Sequence, residues 1–480
     1  MNRHARPTAA LIGAAILLLP LSLTAFNSGS TGADGAFSPF LTNTELQLPP
    51  DGVFNFTSVN IPVGVTVTFK RNAANTPVVM LVQGDVLIDG TLDVSGKPAA
   101  PTGSDAPDGG DPTDDGMPGE GGPGGFSGGY GTPVSSSLAP SDGLGPGGGR
   151  ATVAAFESGS GGSHATAGAG TQPGTIYGSQ LLRPLVGGSG GGGTASFWWP
   201  FGPSSNQTWV MGMGGGGGGG AILVAASGDI HLNGLITANG GGSSNDQSNV
   251  STGGGGSGGA IRLVAAHIVG GGRVTASGGN TCCGRSGFGR LGGTGGTGRI
   301  RVEPETGGVL LLADPGVVFD RPADLFTPGL PGLAISSIAT LPVPTNPTGR
   351  GDITLPAITA DPVDVVLHTN GVPPDTIIKL TVTPEYGAAT STDSAPTVGT
   401  LADASTTVSV SIPEGRSVLM ATTSFIVTAA LGEHLAPYAQ GETVEQVRLT
   451  ASPGQPSRMV LLTASGRELD LPAGALAQGW

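Results

Sequence analysis

The sequence predicts an all-β protein, in which a glycine-rich, β-solenoid-like stacked repeat is followed by a C-terminal β-sandwich. Three observations predict this fold. Similar segments recur at a fixed spacing, their apolar residues alternate with a period of two, and the glycine runs give way to β-branched segments near Pro315. Glycine supplies 89 of the 480 residues. It follows no strict Gly-X-Y period, which excludes a collagen triple helix.

The repeat is defined by three segments in which Ile222, Ile261 and Ile300 occupy corresponding positions, 39 residues apart. An earlier copy spans 77–96 and contains GDVLIDGTLDVSG, which aligns without a gap to GDIHLNGLITANG at 228–240. One copy is too short to bury its own apolar face, so stacked copies must bury one another's.

Alternation within the copies predicts which side chains face the interior. The first strand of the fullest copy places Ile222, Val224 and Ala226 on one buried face. Its second and third strands, separated by a corner at 233–234, place further residues inward: Ile230, Leu232, Ile236 and Ala238. Arg262 and Arg301 fall between inward positions, and we expect them to face water.

The segment before the first copy is the predicted cap of the stack. Residues 52–72 contain two alternating apolar strands, and a stack needs a cap because its terminal coil exposes an edge. We therefore expect this segment to close one end.

The N-terminus predicts export. Residues 1–25 combine Arg3 and Arg6, an apolar run from Leu11 to Leu23 and small residues up to Ala25, which is the layout of a cleavable signal peptide. The run is short for a membrane span of about 20 residues. We expect cleavage near Ala25, a secreted or cell-surface location, and no membrane insertion of the mature chain.

A long insert interrupts the repeat domain, which we assign to 26–314. Residues 97–213 are dense in Gly, Pro, Ser and Asp, and the sequence leaves open whether they are ordered. The insert carries an acidic run whose oxygens are a candidate calcium site, the alternative being a solvated loop: Asp105, Asp108, Asp111, Asp114 and Asp115. Calcium is the one cofactor that the sequence suggests.

An aromatic cluster is the second feature of the insert. Trp198, Trp199 and Trp209 are three of the four tryptophans, and exposed rings of this kind stack on sugars or partner proteins. The alternative is an aromatic plug that covers the repeat core. Cys282 and Cys283 are adjacent, which leaves a vicinal disulfide or two loop thiols open.

The C-terminal part predicts a second module. After a linker at 315–350, residues 351–480 hold short alternating strands separated by turns, as in an immunoglobulin-like β-sandwich with a tail. The predicted strands are 352–359, 363–368, 377–382, 407–412, 418–428, 444–450 and 459–463.

Charge and motifs exclude several functions. The net charge of −14 and the presence of only three lysines argue against nucleic acid as a partner, which needs a cationic surface. Gly-x-Ser-x-Gly strings centre on Ser127, Ser189 and Ser257, but each lies in a glycine run, without the strand and helix that give this motif its meaning. Catalytic residues are therefore not assigned.

The segments 52–96, 214–230 and 253–265 resemble a recurring type of glycine-rich, adhesin-like protein that bacteria secrete, and the part after Pro315 resembles immunoglobulin-like modules of cell-surface proteins. The resemblance implies a non-enzymatic extracellular or cell-surface structural or adhesive protein, with surface glycans or extracellular proteins as partners. The alternatives are a carbohydrate-binding protein that uses the tryptophan cluster and a β-helix polysaccharide-degrading enzyme.

Overall fold

The structure is a computed structural model, and it describes residues 26–40, 42–72, 75–100, 116–133, 139–155, 157–199, 208–243, 252–281, 292–307, 311–323, 325–326, 330–343, 353–357, 359–384, 387–428, 431–432, 435–439, 442–453 and 457–471. The fold is all-β within these residues, with parallel sheets in the N-terminal part and antiparallel sheets in the C-terminal part.

The N-terminal strands follow one another in short pieces: β1 (Gly35–Phe37), β2 (Thr44–Gln47), β3 (Val53–Ile61), β4 (Thr66–Lys70), β5 (Val78–Val82), β6 (Val86–Ile88), β7 (Thr91–Asp93), β8 (Phe197–Trp199), β9 (Thr208–Val210), β10 (Ala221–Leu232), β11 (Leu235–Thr237), β12 (Ala260–Val269), β13 (Arg273–Thr275), β14 (Arg299–Pro304), β15 (Leu312–Asp314) and β16 (Val317–Phe319).

Two parallel sheets contain all of these strands except β8 and β9. The first sheet has the order β1-β3-β5-β10-β12-β14-β16, with β6 beside β10 and β3. The second has the order β15-β13-β11-β7-β4-β2. The fullest copy gives β10 to the first sheet and β11 to the second, whereas the earliest copy gives β5 and β6 to the first sheet and β7 to the second. Neighbouring copies therefore lie side by side.

The strand register places corresponding positions of the aligned segments side by side. Ile222 pairs with Ile261 across β10 and β12, and Ile261 pairs with Ile300 across β12 and β14. The earlier copy joins the same series, because Val78 of β5 pairs with Ile222. The insert therefore separates two copies in sequence that are neighbours in the sheet.

The main apolar core lies between the two sheets, and the predicted inward positions are buried. Ile222, Val224 and Ala226 have no exposed surface, and the same holds for Ile230, Leu232, Ile236 and Ala238. The corner at 233–234 turns the chain from the first sheet to the second, and both of its amides donate to the carbonyl oxygen of Ile88 in the preceding copy.

The cap prediction for 52–72 is wrong in one respect. This segment forms β3 and β4, which lie inside the sheets. β1 pairs with the outer side of β3, and β2 pairs with the outer side of β4. The terminal positions are thus filled by 35–47, which has too few apolar residues for the alternation to identify it.

Glycine runs precede the strands of the first sheet and follow the strands of the second. Together with the insert, these runs form what we call the glycine bundle. We define it as the described residues 94–100, 116–133, 139–152, 157–170, 187–196, 211–220, 238–243, 252–259, 276–281 and 292–298. Successive amides donate to three different neighbouring segments in turn, and the order repeats every three residues. The donor–acceptor pairs along one run are Gly215–Gly129, Gly216–Gly254, Gly217–Lys97, Gly218–Phe126, Gly219–Ser257 and Gly220–Val94.

A period of three without bonds inside the segment is the geometry of a polyproline II helix. Here the backbone groups that such a helix leaves open bind neighbouring helices. The segments pack so closely that side chains have no room: a Cβ added to Gly256 would lie 2.1 Å from the carbonyl oxygen of Gly217, and one added to Gly219 would lie 2.0 Å from that of Ala238. The described part of the insert is therefore ordered by its backbone.

The prediction that Arg262 and Arg301 face water is wrong. Their side chains retain 1% and 4% exposure, because residues 26–32, 320–323 and 325–326 cover the outer face of the first sheet. Arg262 donates to both carboxylate oxygens of Glu303, at 3.1 and 2.9 Å, and Arg301 binds the same carboxylate and that of Asp320. Paired charges satisfy one another where solvent is excluded.

The C-terminal strands are β17 (Gly332–Ile338), β18 (Leu341–Pro342), β19 (Val363–Asn370), β20 (Lys379–Pro384), β21 (Thr390–Asp393), β22 (Val398–Gly399), β23 (Ala404–Val410), β24 (Ser417–Ile426), β25 (Val444–Ala451), β26 (Arg458–Thr463) and β27 (Glu468–Leu471), with a 3-10 turn at Ala436–Ala439. Two antiparallel sheets, ordered β18-β17-β19-β23-β22 and β21-β20-β24-β25-β26-β27, share one apolar core.

Two boundaries differ from the sequence prediction. The segment 315–350, expected to be a linker, contributes β16 to the first parallel sheet and β17 and β18 to a C-terminal sheet. Leu333 and Ile335 of β17 are buried in the C-terminal core, which explains why this segment belongs to it. The predicted strand 352–359 is absent from the described residues 353–357 and 359, which have no ladder pairing and contain a turn at Ala357.

Candidate binding surface

The predicted tryptophan cluster lies on a two-stranded ribbon that leaves the glycine bundle. Its base is fixed by reciprocal bonds: the Thr194 amide donates to the Met213 carbonyl at 3.0 Å, and the Met213 amide donates to the Thr194 hydroxyl at 2.8 Å. Thr194 is 1% exposed and Met213 is fully buried. The Ser196 amide donates to the Thr132 hydroxyl at 2.6 Å, which ties the next residue to a third segment.

The ribbon itself consists of β8 and β9, paired antiparallel so that Trp198 lies opposite Trp209. Side chains alternate between the two faces of a strand. Phe197 is 9% exposed, whereas Trp198 is 43% exposed. For Trp199 and Trp209 the structure describes the backbone pairing alone. The ribbon thus buries Phe197 at its base and presents Trp198 to solvent.

An exposed indole on a fixed base can stack on a flat apolar surface while its N–H donates a hydrogen bond. Both faces of a sugar ring and the side chains of a protein partner offer such a surface. The Trp198 side chain is therefore suited to binding. The reciprocal bonds at the base of the ribbon restrict its motion, which lowers the entropy that is lost when a ligand binds.

The candidate calcium ligands Asp105, Asp108, Asp111, Asp114 and Asp115 lie outside the described residues, and so do Cys282 and Cys283. The described acid that follows the run is Glu120. Its carboxylate accepts from Lys97 Nζ at 2.8 Å and lies 3.6 Å from Arg71 Nη1. The hydrogen bond from Lys97 and both positive charges lower the pKa of Glu120, so this acid already has cationic partners.

Within the described ranges, His, Cys, Asp and Glu form no group of three that is arranged to hold a metal ion. Two acids occupy the same position in successive copies, Asp85 and Asp229, as the alignment predicts. The Asp85 carboxylate accepts from the Asp229 amide at 2.9 Å, and the Asp229 carboxylate contacts His267 Nδ1 at 2.7 Å. These contacts link turns of neighbouring copies.

Two serines of the Gly-x-Ser-x-Gly strings are buried among polar groups in the glycine bundle. Ser189 and Ser257 have no exposed surface. The Ser257 hydroxyl accepts from the Ser189 amide at 2.8 Å, and the Ser189 hydroxyl donates to Tyr177 Oη at 3.0 Å. Tyr177 Oη in turn donates to the Gly187 carbonyl at 2.5 Å. The hydroxyls satisfy backbone groups and are closed to a substrate.

His164 lies beside these residues and is the buried histidine of the bundle. Its Nδ1 is 3.0 Å from the Gly258 carbonyl oxygen, and its ring stacks on Tyr177 with centroids 4.8 Å apart. A carbonyl oxygen can only accept, so Nδ1 carries the proton. Burial first, and then the positive charge of Arg299, lower the pKa of His164 to about 4. Burial also raises the pKa of Tyr177.

Sequence reasoning missed the buried group of Arg262, Arg301 and Glu303. The available signal was that Arg recurs at one repeat position, with Glu two residues later on the same face in the third copy. Uncharged residues at these positions would have predicted that the outer face of the sheet is covered. The charged residues that occur there instead led to the prediction that this face is exposed to solvent.

Among the described residues, no helix has the length and apolar character needed to cross a membrane. Comparisons of the chain with protein-family models, curated proteins and solved structures gave no match.

Proposed function

We propose that the protein is an exported, non-enzymatic structural or adhesive protein of the extracellular space or cell surface, and that the ribbon of β8 and β9 is its binding element. The repeat would act as a β-solenoid-like body, with the glycine bundle along it and an immunoglobulin-like β-sandwich at its C-terminal end. The composition of the N-terminal 25 residues supports export.

One observation carries the proposal: Trp198 is 43% exposed on a ribbon whose base is buried and hydrogen-bonded. Apolar aromatic surface held in solvent by a rigid base is typical of binding sites, since interface hot spots are rich in tryptophan. Parallel strands and cross-bonded glycine segments supply the rigidity. The buried serines and the paired carboxylates described above favour a scaffold over an enzyme.

A surface glycan is the partner class that the exposed indole favours, and an extracellular protein is the alternative. Sugar rings present C–H faces that stack on indole, and the net charge of −14 disfavours anionic partners. The two classes differ in chemistry, because periodate destroys vicinal diols of sugars and leaves the polypeptide backbone intact.

The test is binding of the secreted protein to a glycan array and to cells, with and without periodate treatment. We expect Trp198→Ala to lower affinity about tenfold or more, as for a binding hot spot. Tyr130→Ala is the matched control, because Tyr130 is another exposed aromatic of the bundle, at 54% exposure. We expect it to bind like the wild type.

Three results would count against parts of the proposal. Glycan binding that survives Trp198→Ala and Trp199→Ala together would eliminate the ribbon as a glycan site. Cell binding that resists periodate but is lost after protease treatment of the cells would assign a protein partner. Binding that is lost equally in Tyr130→Ala would show a general effect on folding.

A further inference from the structure

The first described residues lie along the outer face of the first parallel sheet. Ser28 is 2% exposed, its hydroxyl donates to the Val82 carbonyl at 2.7 Å, and its amide donates to the Ser227 hydroxyl at 3.0 Å. Two residues later, the Ser30 hydroxyl donates to the Phe56 carbonyl at 2.8 Å. This segment is therefore held by specific bonds to two copies of the repeat and to β3.

Phe26 begins this segment, and both its ring and its nitrogen have partners. The half-buried ring packs against the apolar cluster on the outer face of the sheet, which includes Leu81, Leu223 and Val264. The Phe26 nitrogen donates to Oε1 of Glu305. Glu305 follows β14 and is itself fixed, because its amide donates to the carbonyls at 265 and 266, both at 3.1 Å.

We infer that cleavage of the Ala25–Phe26 bond generates the mature N-terminus and that Glu305 is the binding site of the new α-ammonium group. This inference rests on the export proposed above. Hydrolysis adds one water across the peptide bond: Ala25 departs with a carboxylate, and Phe26 gains an amine that takes up a proton. Glu305 thus acts as an internal receptor for the processed terminus.

The change in charge is what makes processing matter to the fold. An amide nitrogen offers the carboxylate one N–H and no net charge, whereas an α-ammonium offers three N–H donors and a full positive charge, so cleavage adds an ion pair to the existing hydrogen bond. The carboxylate already faces the nitrogen, so cleavage strengthens the contact without a rearrangement. Processing and docking of residues 26–32 are therefore coupled.

The first experiment is N-terminal sequencing and intact mass measurement of the exported protein. We expect a chain that begins at Phe26. Export with a terminus at another residue would overturn the inference while leaving export standing. A chain that is not exported, or that retains its first 25 residues, would overturn the proposed export as well.

The second experiment compares the reactivity of the α-amine in the mature wild type and in Glu305→Gln, by limited reductive methylation and peptide mass spectrometry. We expect roughly threefold faster labelling of Phe26 in Glu305→Gln, which corresponds to about half a pKa unit for the amine. The chain has only three lysines, Lys70, Lys97 and Lys379, and their labelling is the internal reference.

Glu45→Gln is the matched control, since Glu45 is an exposed glutamate on β2. We expect it to leave the labelling of Phe26 unchanged. Equal labelling of the wild type and Glu305→Gln would overturn the inference. If Glu305→Gln does not fold, Glu305→Asp retains the charge with a shorter reach, and labelling no faster than in the wild type would again overturn it.

Discussion

Protonation of His164 should destabilise the fold. The side chain is 1% exposed in the glycine bundle, and burial together with Arg299 lowers its pKa to about 4 from 6.5. In the unfolded chain His164 binds a proton as the pH falls through about 6.5, whereas the folded chain resists until about 4. Its contribution to stability is therefore complete above pH 6.5 and is lost as the pH falls from 6.5 to 4.

The expected size follows from that pKa difference. One pKa unit is equivalent to 1.36 kcal/mol, so the full loss is about 3 kcal/mol. About three quarters of this loss should be reached at pH 4.5. This is a large share of the free energy of unfolding of a typical domain, which is about 5–15 kcal/mol.

The assay is urea unfolding at pH 7 and pH 4.5 for the wild type and His164→Asn. Asparagine does not titrate, and its side-chain N–H₂ can donate to the Gly258 carbonyl as Nδ1 does now. The carboxylates are the same in both proteins, so their contribution to the loss of stability cancels in the comparison. We expect the wild type to lose about 2–3 kcal/mol more than His164→Asn. The control His231→Asn, at a half-exposed histidine of β10, should lose as much as the wild type. Equal losses in the wild type and His164→Asn would refute the reasoning.

Two further predictions concern the bundle and the buried charges. Gly256→Ala should lower the free energy of unfolding by about 1–3 kcal/mol, because its Cβ would lie 2.1 Å from a carbonyl oxygen. Gly271→Ala is the control: its Cβ would have no described heavy atom within 4 Å, so its effect should be nearly neutral or slightly stabilising. Urea unfolding compares the two variants, and equal effects would contradict the packing argument. Glu303→Gln should cost about 3–5 kcal/mol, since it removes the carboxylate charge that Arg262 and Arg301 share while both arginines stay buried. Asp320→Asn, at an exposed acid, should cost far less by thermal unfolding, and the reverse order would show that the buried group is not what stabilises the outer face.

The stacked core was predictable because the sequence patterns that specify it lie within short segments of the chain. Alternation of Ile222, Val224 and Ala226 shows which face is buried, and the constant spacing to Ile261 and Ile300 sets the register that the strands adopt. Both signals belong to side chains whose neighbours in the sheet have the same character. The C-terminal strands followed from the same alternation.

The outer face was not predictable, because its covering comes from far away in the chain. Arg262 lies on the side that alternation assigns to solvent, but residues 26–32, 320–323 and 325–326 fold over that side. The order of the insert was hidden for another reason. Glycine has no side chain to show periodicity, so the three-residue rotation of hydrogen bonds leaves no hydropathy pattern in the sequence.

The candidate site was predictable in identity and partly in geometry. The cluster of aromatic residues singled out Trp198, but composition cannot separate an exposed ring from a buried plug. That distinction depends on the ribbon base, where Thr194 and Met213 bind each other, and neither residue type is distinctive by itself. For the acidic run and the cysteine pair, the sequence interpretations stand as predictions.

The glycine bundle also has a thermal consequence. The heat capacity change of unfolding is raised by newly exposed apolar surface and lowered by exposed polar surface, and it averages about 12–15 cal/mol/K per residue. The bundle buries peptide groups with few apolar side chains, so unfolding it exposes mainly polar backbone. The protein should have a heat capacity change per residue below that average, and its stability should therefore vary less with temperature, including on cooling towards freezing.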